Sequence, residues 1–324
     1  MQRAGEAALD PAPAVKYTGG ATGADVLPCT SGGSFRMTWE IVVQAIVSGL
    51  LMGLVYALIA AGLSLIFGLM EIVNFAHGEF MMISMYAAFW LWALFGLDPV
   101  FSVPLCAALL FFMGVATHYG IIRHILGASM LAQICATFGL AVFLCALAQF
   151  LWTPDFRTIT DPMVAGRVDI AGVFLGLPQI VASIGCLLAF AFLYLFITRT
   201  ETGLALQATA QDRQAAELMG IPTERMFALG WGIGAACVGV AGVFLSTFYY
   251  VFPEVGLQFA LLAYVAVAMG GFGSILGSLV AGVLIGLVES VGGLLIDPSY
   301  KLLIVFGLYL AIVAFRPKGL FGRY

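Results

Sequence analysis

The chain has 324 residues, 62% of them hydrophobic and only 9% charged, with a formal net charge of −4. Soluble domains carry about 25% charged residues, so this composition excludes a water-covered globular surface and fits a chain whose outer face is mostly lipid. There is no basic stripe for a nucleic-acid partner; six cysteines without CxxC spacing and three histidines give no metal-site signature.

Residues 1–36 are rich in Ala, Pro, Gly, Thr and Ser and contain no apolar run. They read as a disordered N-terminal extension, and residues 37–324 as a transmembrane domain. A spanning helix needs roughly 20 mostly apolar residues. Candidate segments are 41–69, 76–95, 99–122, 130–152, 178–198, 227–250, 257–269, 275–296 and 301–315. The first is long enough for one span plus a short extra helix, and 257–269 is short for a span. The expected fold is an all-α polytopic membrane protein with about eight or nine membrane helices. Two broken or re-entrant elements form a pseudo-repeat: one is interrupted at Asn74-Phe75-Ala76-His77-Gly78, the other at Gly270-Gly271-Phe272-Gly273-Ser274. Paired interruptions mark the pathway in repeat-built transporters; tight packing at glycine is the alternative.

No Lys or Arg lies between Met37 and Ile122. Arg123, the 199–225 loop and Arg316, Lys318 and Arg323 carry most of the basic charge beyond it, which places the 123–129 loop, the 199–225 loop and the C-terminus in the cytoplasm. Trp152, Tyr249, Tyr250 and Phe252 then lie near the opposite interface. Charge within apolar segments is costly, so Glu71, His77, Glu79 and Glu289 stand out. The first three cluster around the Asn74 break, where they either meet water at the membrane edge or line a gate. Glu289 lies inside its segment and needs a cavity or a partner helix.

In residues 200–222 polarity jumps and alanine dominates. Leu204, Ala208, Ala215 and Met219 share one helical face, flanked by Gln207, Gln211, Gln214 and Glu217. Gly220 is a helix stop, Pro222 cannot continue it, and Thr223 suits the cap of the next helix. The expectation is one amphipathic helix outside the lipid: either a handle for a soluble motor or an ordinary surface loop.

The run Gly68-Leu69-Met70-Glu71-Ile72-Val73-Asn74-Phe75-Ala76-His77-Gly78-Glu79-Phe80, followed by Tyr86, resembles the signature of branched-chain amino-acid ABC permeases. The 200–221 segment, with its T-x-x-G start and final M-G-I, resembles that family's coupling loop. The Gly270–Ser274 run with Gly277, and the ending Arg316-Pro317-Lys318-Gly319-Leu320-Phe321-Gly322, match its late motifs. The similarity spans about residues 38–324. It implies a multi-pass subunit of a bacterial inner-membrane importer. Its implied partners are a second paralogous permease, two cytoplasmic ATPase subunits and an extracytoplasmic substrate-binding protein. It also implies ATPase coupling through Gly203, Asp212, Ala216, Gly220 and Ile221, and a place near the translocation path for Asn74, His77 and Gly78, to which Glu289 is added from its position. Gln207 stands where the family often has Arg.

The chain lacks a G-x-x-x-x-G-K-[ST] nucleotide loop, so it is expected to be no enzyme, to carry no cofactor and to draw energy from a partner. Branched-chain amino acids are the expected cargo; urea and short amides are carried by similar permeases. A secondary transporter or channel would need an ion relay of buried carboxylates. An intramembrane enzyme would need a nucleophile and base.

Overall fold

The computed structural model describes residues 39–160, 162–170 and 172–322. The extension expected at 1–36 lies outside the described residues. Elements run in the order α1 (Trp39–Met70), α2 (His77–Phe95), α3 (Pro99–Thr117), a π turn (His118–Ile122), α4 (Arg123–Ile125), α5 (Met130–Trp152), β1 (Arg167–Ile170), β2 (Val173–Gly176), α6 (Leu177–Arg199), α7 (Glu201–Gln211), α8 (Arg213–Leu218), α9 (Thr223–Leu245), α10 (Val255–Gly270), α11 (Ile275–Leu295) and α12 (Lys301–Phe315). Among the described residues, eight helical stretches are long and apolar enough to cross a membrane, and α10 is a shorter ninth apolar helix.

Helix α1 is one continuous helix, without the extra short helix that 41–69 left room for. Its 32 residues span about 48 Å, more than the ~30 Å hydrocarbon layer. It packs antiparallel to α11: a Cβ at Gly53 would lie 2.7 Å from Val283 Cα, and one at Gly282 2.5 Å from Ala57 N. The GxxxG pairs Gly49/Gly53 and Gly282/Gly286 therefore face each other, which lets the two backbones touch. Helices α3 and α9 pair in the same antiparallel sense through Gly114, Gly232 and Gly239.

The contacts are reciprocal. α1 lies against α9 where Gly62 and Gly234 each back onto the other's carbonyl, and α2 meets α10 where Gly78 and Gly256 do the same. α1–α2–α3 thus exchanges with α9–α10–α11, with α1·α11 answering α9·α3 and α1·α10 answering α9·α2. Because α1 and α9 are antiparallel, this is an inverted repeat about an axis across the bundle. The echo read from sequence set the 74–78 break against 270–274; the repeat in the structure instead joins whole helix triplets. Within it, the interruption after α1 is matched by the 246–254 segment before α10.

The interruption at 71–76 turns back into the bundle. His77 Nε2 donates to the carbonyl of Ile59 at 3.0 Å, well inside α1, so α2 starts at depth rather than at the level where α1 ends. On the side opposite the basic loops, β1 and β2 form an antiparallel hairpin, Arg167 opposite Gly176. Gln44 Nε2 donates to Phe174 O at 3.2 Å, so α1 begins on the hairpin side. At the other end, two distant motifs meet: Leu320 N donates to Met269 O at 2.8 Å and Phe321 N to Gly270 O at 3.0 Å. The tail is thereby strapped to the end of α10, where Gly271 sits at φ +102°.

Candidate translocation and coupling sites

Asn74, His77 and Gly78 come together at the re-entrant turn. Asn74 is fully buried; its Oδ1 accepts from Ala76 N at 3.1 Å, an Asx-type closure of the turn. Its backbone carbonyl accepts from the Tyr264 hydroxyl of α10 at 2.9 Å. His77 is held by Ile59, and Gly78 is where α2 crosses Gly256. Of the neighbouring acids, Glu71 is exposed at the end of α1 with φ +57°, the bland outcome for that residue. Glu79 is only 7% exposed, and its Oε2 has no hydrogen-bond partner among the described residues.

Glu289 stands apart from that turn along the bundle. Its Oε2 accepts from the Tyr56 hydroxyl at 2.7 Å, and its Oε1 lies 2.9 Å from Lys301 Nζ. The carboxylate therefore joins α1, α11 and α12. Sequence alone missed both partners: Tyr56 is 233 positions away, and Lys301 reads as a flank of the last span.

The segment at 200–222 departs from the single helix expected. Asp212, at φ −153° and ψ 105°, breaks it into α7 and α8. Its side chain accepts from Ala215 N at 3.0 Å, capping α8. Thr200 caps α7 in the same way through Gly203 N, 3.0 Å. The expected face is not the buried one: α7 already turns Gly203, Leu206 and Thr209 inward, and the break separates α8 from that phase. Gly203, Leu206, Thr209 and Ala216 are buried, while Leu204, Leu218 and Met219 are exposed. Gly203 lies so close to α6 that a Cβ would strike the carbonyls of Phe196 and Ile197. Gln207 does not reach outward: its Nε2 donates to Ile197 O at 2.6 Å.

Gly220 closes α8 as expected, in the left-handed region at φ +82°, with Ile221 N donating to Ala216 O at 3.0 Å. Thr223 does not cap α9. Its hydroxyl donates to Glu217 Oε1 at 2.6 Å, because Pro222 already occupies the cap position. That bond, with the Arg213 guanidinium 3.0 Å away, holds the Glu217 carboxyl below its usual range. Arg213 also lies over the Phe227 ring at 5.3 Å, and Arg123 pairs with Glu224 at 3.3 Å. Both ties run from the basic-side loops into α9.

The sequence family described as the permease component of the branched-chain amino acid transport system matches residues 45–313. The chain belongs to this permease family. It is 34% identical to the high-affinity branched-chain amino acid transport system permease protein BraD of Pseudomonas aeruginosa over 296 residues, covering 86% of this chain and 95% of that relative. It is 31% identical to LivH of Escherichia coli K12 over the same coverage. Similarity extends to a probable branched-chain permease of Methanocaldococcus jannaschii, 26% identical over 72% of this chain and 75% of the relative. No solved structure matches.

This permease also carries a feature that sequence reading missed altogether. Arg157, in the segment before the hairpin, forms an isolated bridge with Val251: its N donates to Val251 O at 2.9 Å, and Val251 N to its O at 2.8 Å. Its guanidinium lies over Phe89 and Trp90 at 5.6 and 5.2 Å. The segment looked like a loop because its strands are only four residues long. The Asp169–Gly172 turn, where Gly172 N donates to Asp169 Oδ1 at 3.0 Å, was the available signal.

Proposed function

We propose that this permease is the membrane subunit of a binding-protein-dependent ABC importer for branched-chain amino acids in a bacterial inner membrane. It works with a second paralogous permease and is driven by two cytoplasmic ATPase subunits docked on residues 201–222. The observation that carries the reading is the build of α7–α8. Both helices have side-chain caps, Gly203 is pressed onto α6, and α8 is tied to α9 through Glu217, Thr223 and Arg213. A unit fastened to two spanning helices moves with them, where a free loop would absorb the motion. At its tip Leu218 and Met219 are 89% and 82% exposed, an apolar knob that fits a partner's groove.

In this reading Gly203, Asp212, Ala216, Gly220 and Ile221 shape the docking unit rather than touching cargo. Asn74, His77 and Gly78 hold the re-entrant turn beside the path, and Glu289 is the joint that keeps α1, α11 and α12 in step. Reconstitution with the two ATPases and the binding protein tests the assignment. The expected results are ATP-dependent uptake of labelled leucine, and crosslinks from cysteines placed at Leu218 and Met219 to an ATPase. Uptake of urea in place of leucine would reassign the cargo. No ATPase crosslink in any nucleotide state, with uptake driven by an ion gradient, would replace the importer with a secondary transporter.

A further inference from the structure

One face of α2 carries Glu79, Tyr86 and Trp90. Their spacing of i, i+7 and i+11 brings them into one line along the helix. Tyr86 is fully buried, and neither its hydroxyl nor Trp90 Nε1 has a hydrogen-bond partner among the described residues. Arg157 lies over the hairpin-side end of this line. Its Nη2 donates to Trp152 O at 2.6 Å, while its Nε is buried and also without a partner among the described residues. The Trp152 ring stacks on Tyr86 with centroids 4.3 Å apart, and Tyr86 lies within electrostatic reach of the guanidinium.

A buried donor left without an acceptor has given up its water and gained nothing in exchange. Here three such donors, Tyr86 O–H, Trp90 Nε1–H and Arg157 Nε–H, belong to one contact cluster: the guanidinium lies over the Trp90 ring and bonds Trp152 O, and Trp152 stacks on Tyr86. A structural staple accounts for part of Arg157: its backbone bridge to Val251, its stacking on Phe89 and Trp90, and its bond to Trp152. It leaves the three donors unexplained. A guanidinium N–H, a hydroxyl and an indole N–H in one cluster are a donor set that suits a planar carboxylate.

We propose that Tyr86, Trp90 and Arg157 form a carboxylate-binding subsite at the hairpin-side end of α2, which receives the carboxylate of an amino acid entering the membrane. The inference rests on the import reading and deepens it, since such a subsite holds an amino acid and not urea or a simple amide. Glu79 lies about 10 Å further along the same face, in electrostatic reach of Glu254 at the start of α10. The two acids would meet the ammonium group later on the path, so the two ends of a zwitterion are served in succession.

The test uses the complete importer in lipid nanodiscs without its binding protein. Labelled leucine is expected to bind saturably below about 10 mM, with competition from 4-methylpentanoate and none from 3-methylbutylamine. Tyr86→Phe, which keeps the ring stack, and Arg157→Gln should each weaken binding roughly tenfold or more. The subsite is overturned if no saturable binding is found, if the amine competes as well as the acid, or if both variants bind leucine like the unaltered protein. ATP-driven leucine uptake by the same unaltered complex, with binding protein added, reports separately on the import reading. Uptake with unchanged binding in both variants removes the subsite alone.

Discussion

At the crossing of α2 and α10, contact is made by backbone against backbone, with Gly78 and Gly256 each occupying the space a side chain would need. At α7–α8 it is made by polar side chains: Thr200 and Asp212 close backbone ends, and Thr223 bonds the Glu217 carboxylate. Inside lipid, water cannot satisfy an exposed peptide group, and helix association relies on close packing. Outside it, polar caps close the helix ends and an apolar tip can remain open for a partner. The interior crossing should therefore fail as a folding defect. The outer unit should fail as a coupling defect in a protein that still inserts.

The strongest way to break that contrast is Gly78→Leu. The new side chain would meet the Gly256 carbonyl and Ala260, so loss of folded protein is expected, a destabilisation of about 4 kcal/mol or more. Normal yield of protease-resistant protein in the membrane would show that the crossing can open. Gly220→Pro comes next. It forces φ to about −65° where the chain needs +82°, and it removes the N–H that donates to Glu217 O at 3.0 Å. Insertion should be normal and uptake per inserted molecule at least about tenfold lower; a parallel fall in both would make Gly220 an interior residue in disguise.

Exchanging Leu218 and Met219 together for Ser should change stability by no more than about 0.5 kcal/mol while weakening retention of the ATPase during purification. Glu289→Gln sharpens the comparison from inside the bundle. It keeps an acceptor for Tyr56 but leaves Lys301 without its carboxylate, for an expected loss of about 1–3 kcal/mol. Adding Lys301→Gln should recover part of the loss in a double-mutant cycle, and an additive result would rule out the ion pair as the cause. The smallest effect belongs to Thr223→Val. The depressed Glu217 carboxyl should rise toward its ordinary value. The stabilisation it contributes is present above that value and fades as pH falls through the lowered one. A carbonyl NMR titration reads the shift, and no movement would mean that Arg213 alone holds the group.

The spanning helices were legible because lipid imposes a length and an apolar run on each, and the ends at Phe95, Trp152 and Leu295 fall within a residue of where the apolar runs stop. The Gly220 stop was legible because a left-handed turn after an Ala-rich helix calls for glycine. The Asp212 break was not: aspartate inside a helical pattern reads as a polar face, and only the bond to Ala215 N makes it a cap. Tyr56 and Arg157 were invisible as partners, since each finds its contact across a long stretch of chain; Lys301 is near Glu289 in sequence, but only the turn between α11 and α12 brings it back onto the carboxylate.

Composition and periodicity alone determined that the chain lives in a membrane, roughly how many times it crosses, and where a polar helical segment interrupts the apolar runs. Those properties follow from the solvent each stretch must face, which is a local matter. Tertiary structure decided that α2 begins deep in the bundle, that two helix triplets exchange about an axis through paired glycines, and that Glu289 is clamped while Tyr86, Trp90 and Arg157 keep donors without a partner among the described residues. These depend on which backbones come close enough to touch, and no single stretch of chain contains that information.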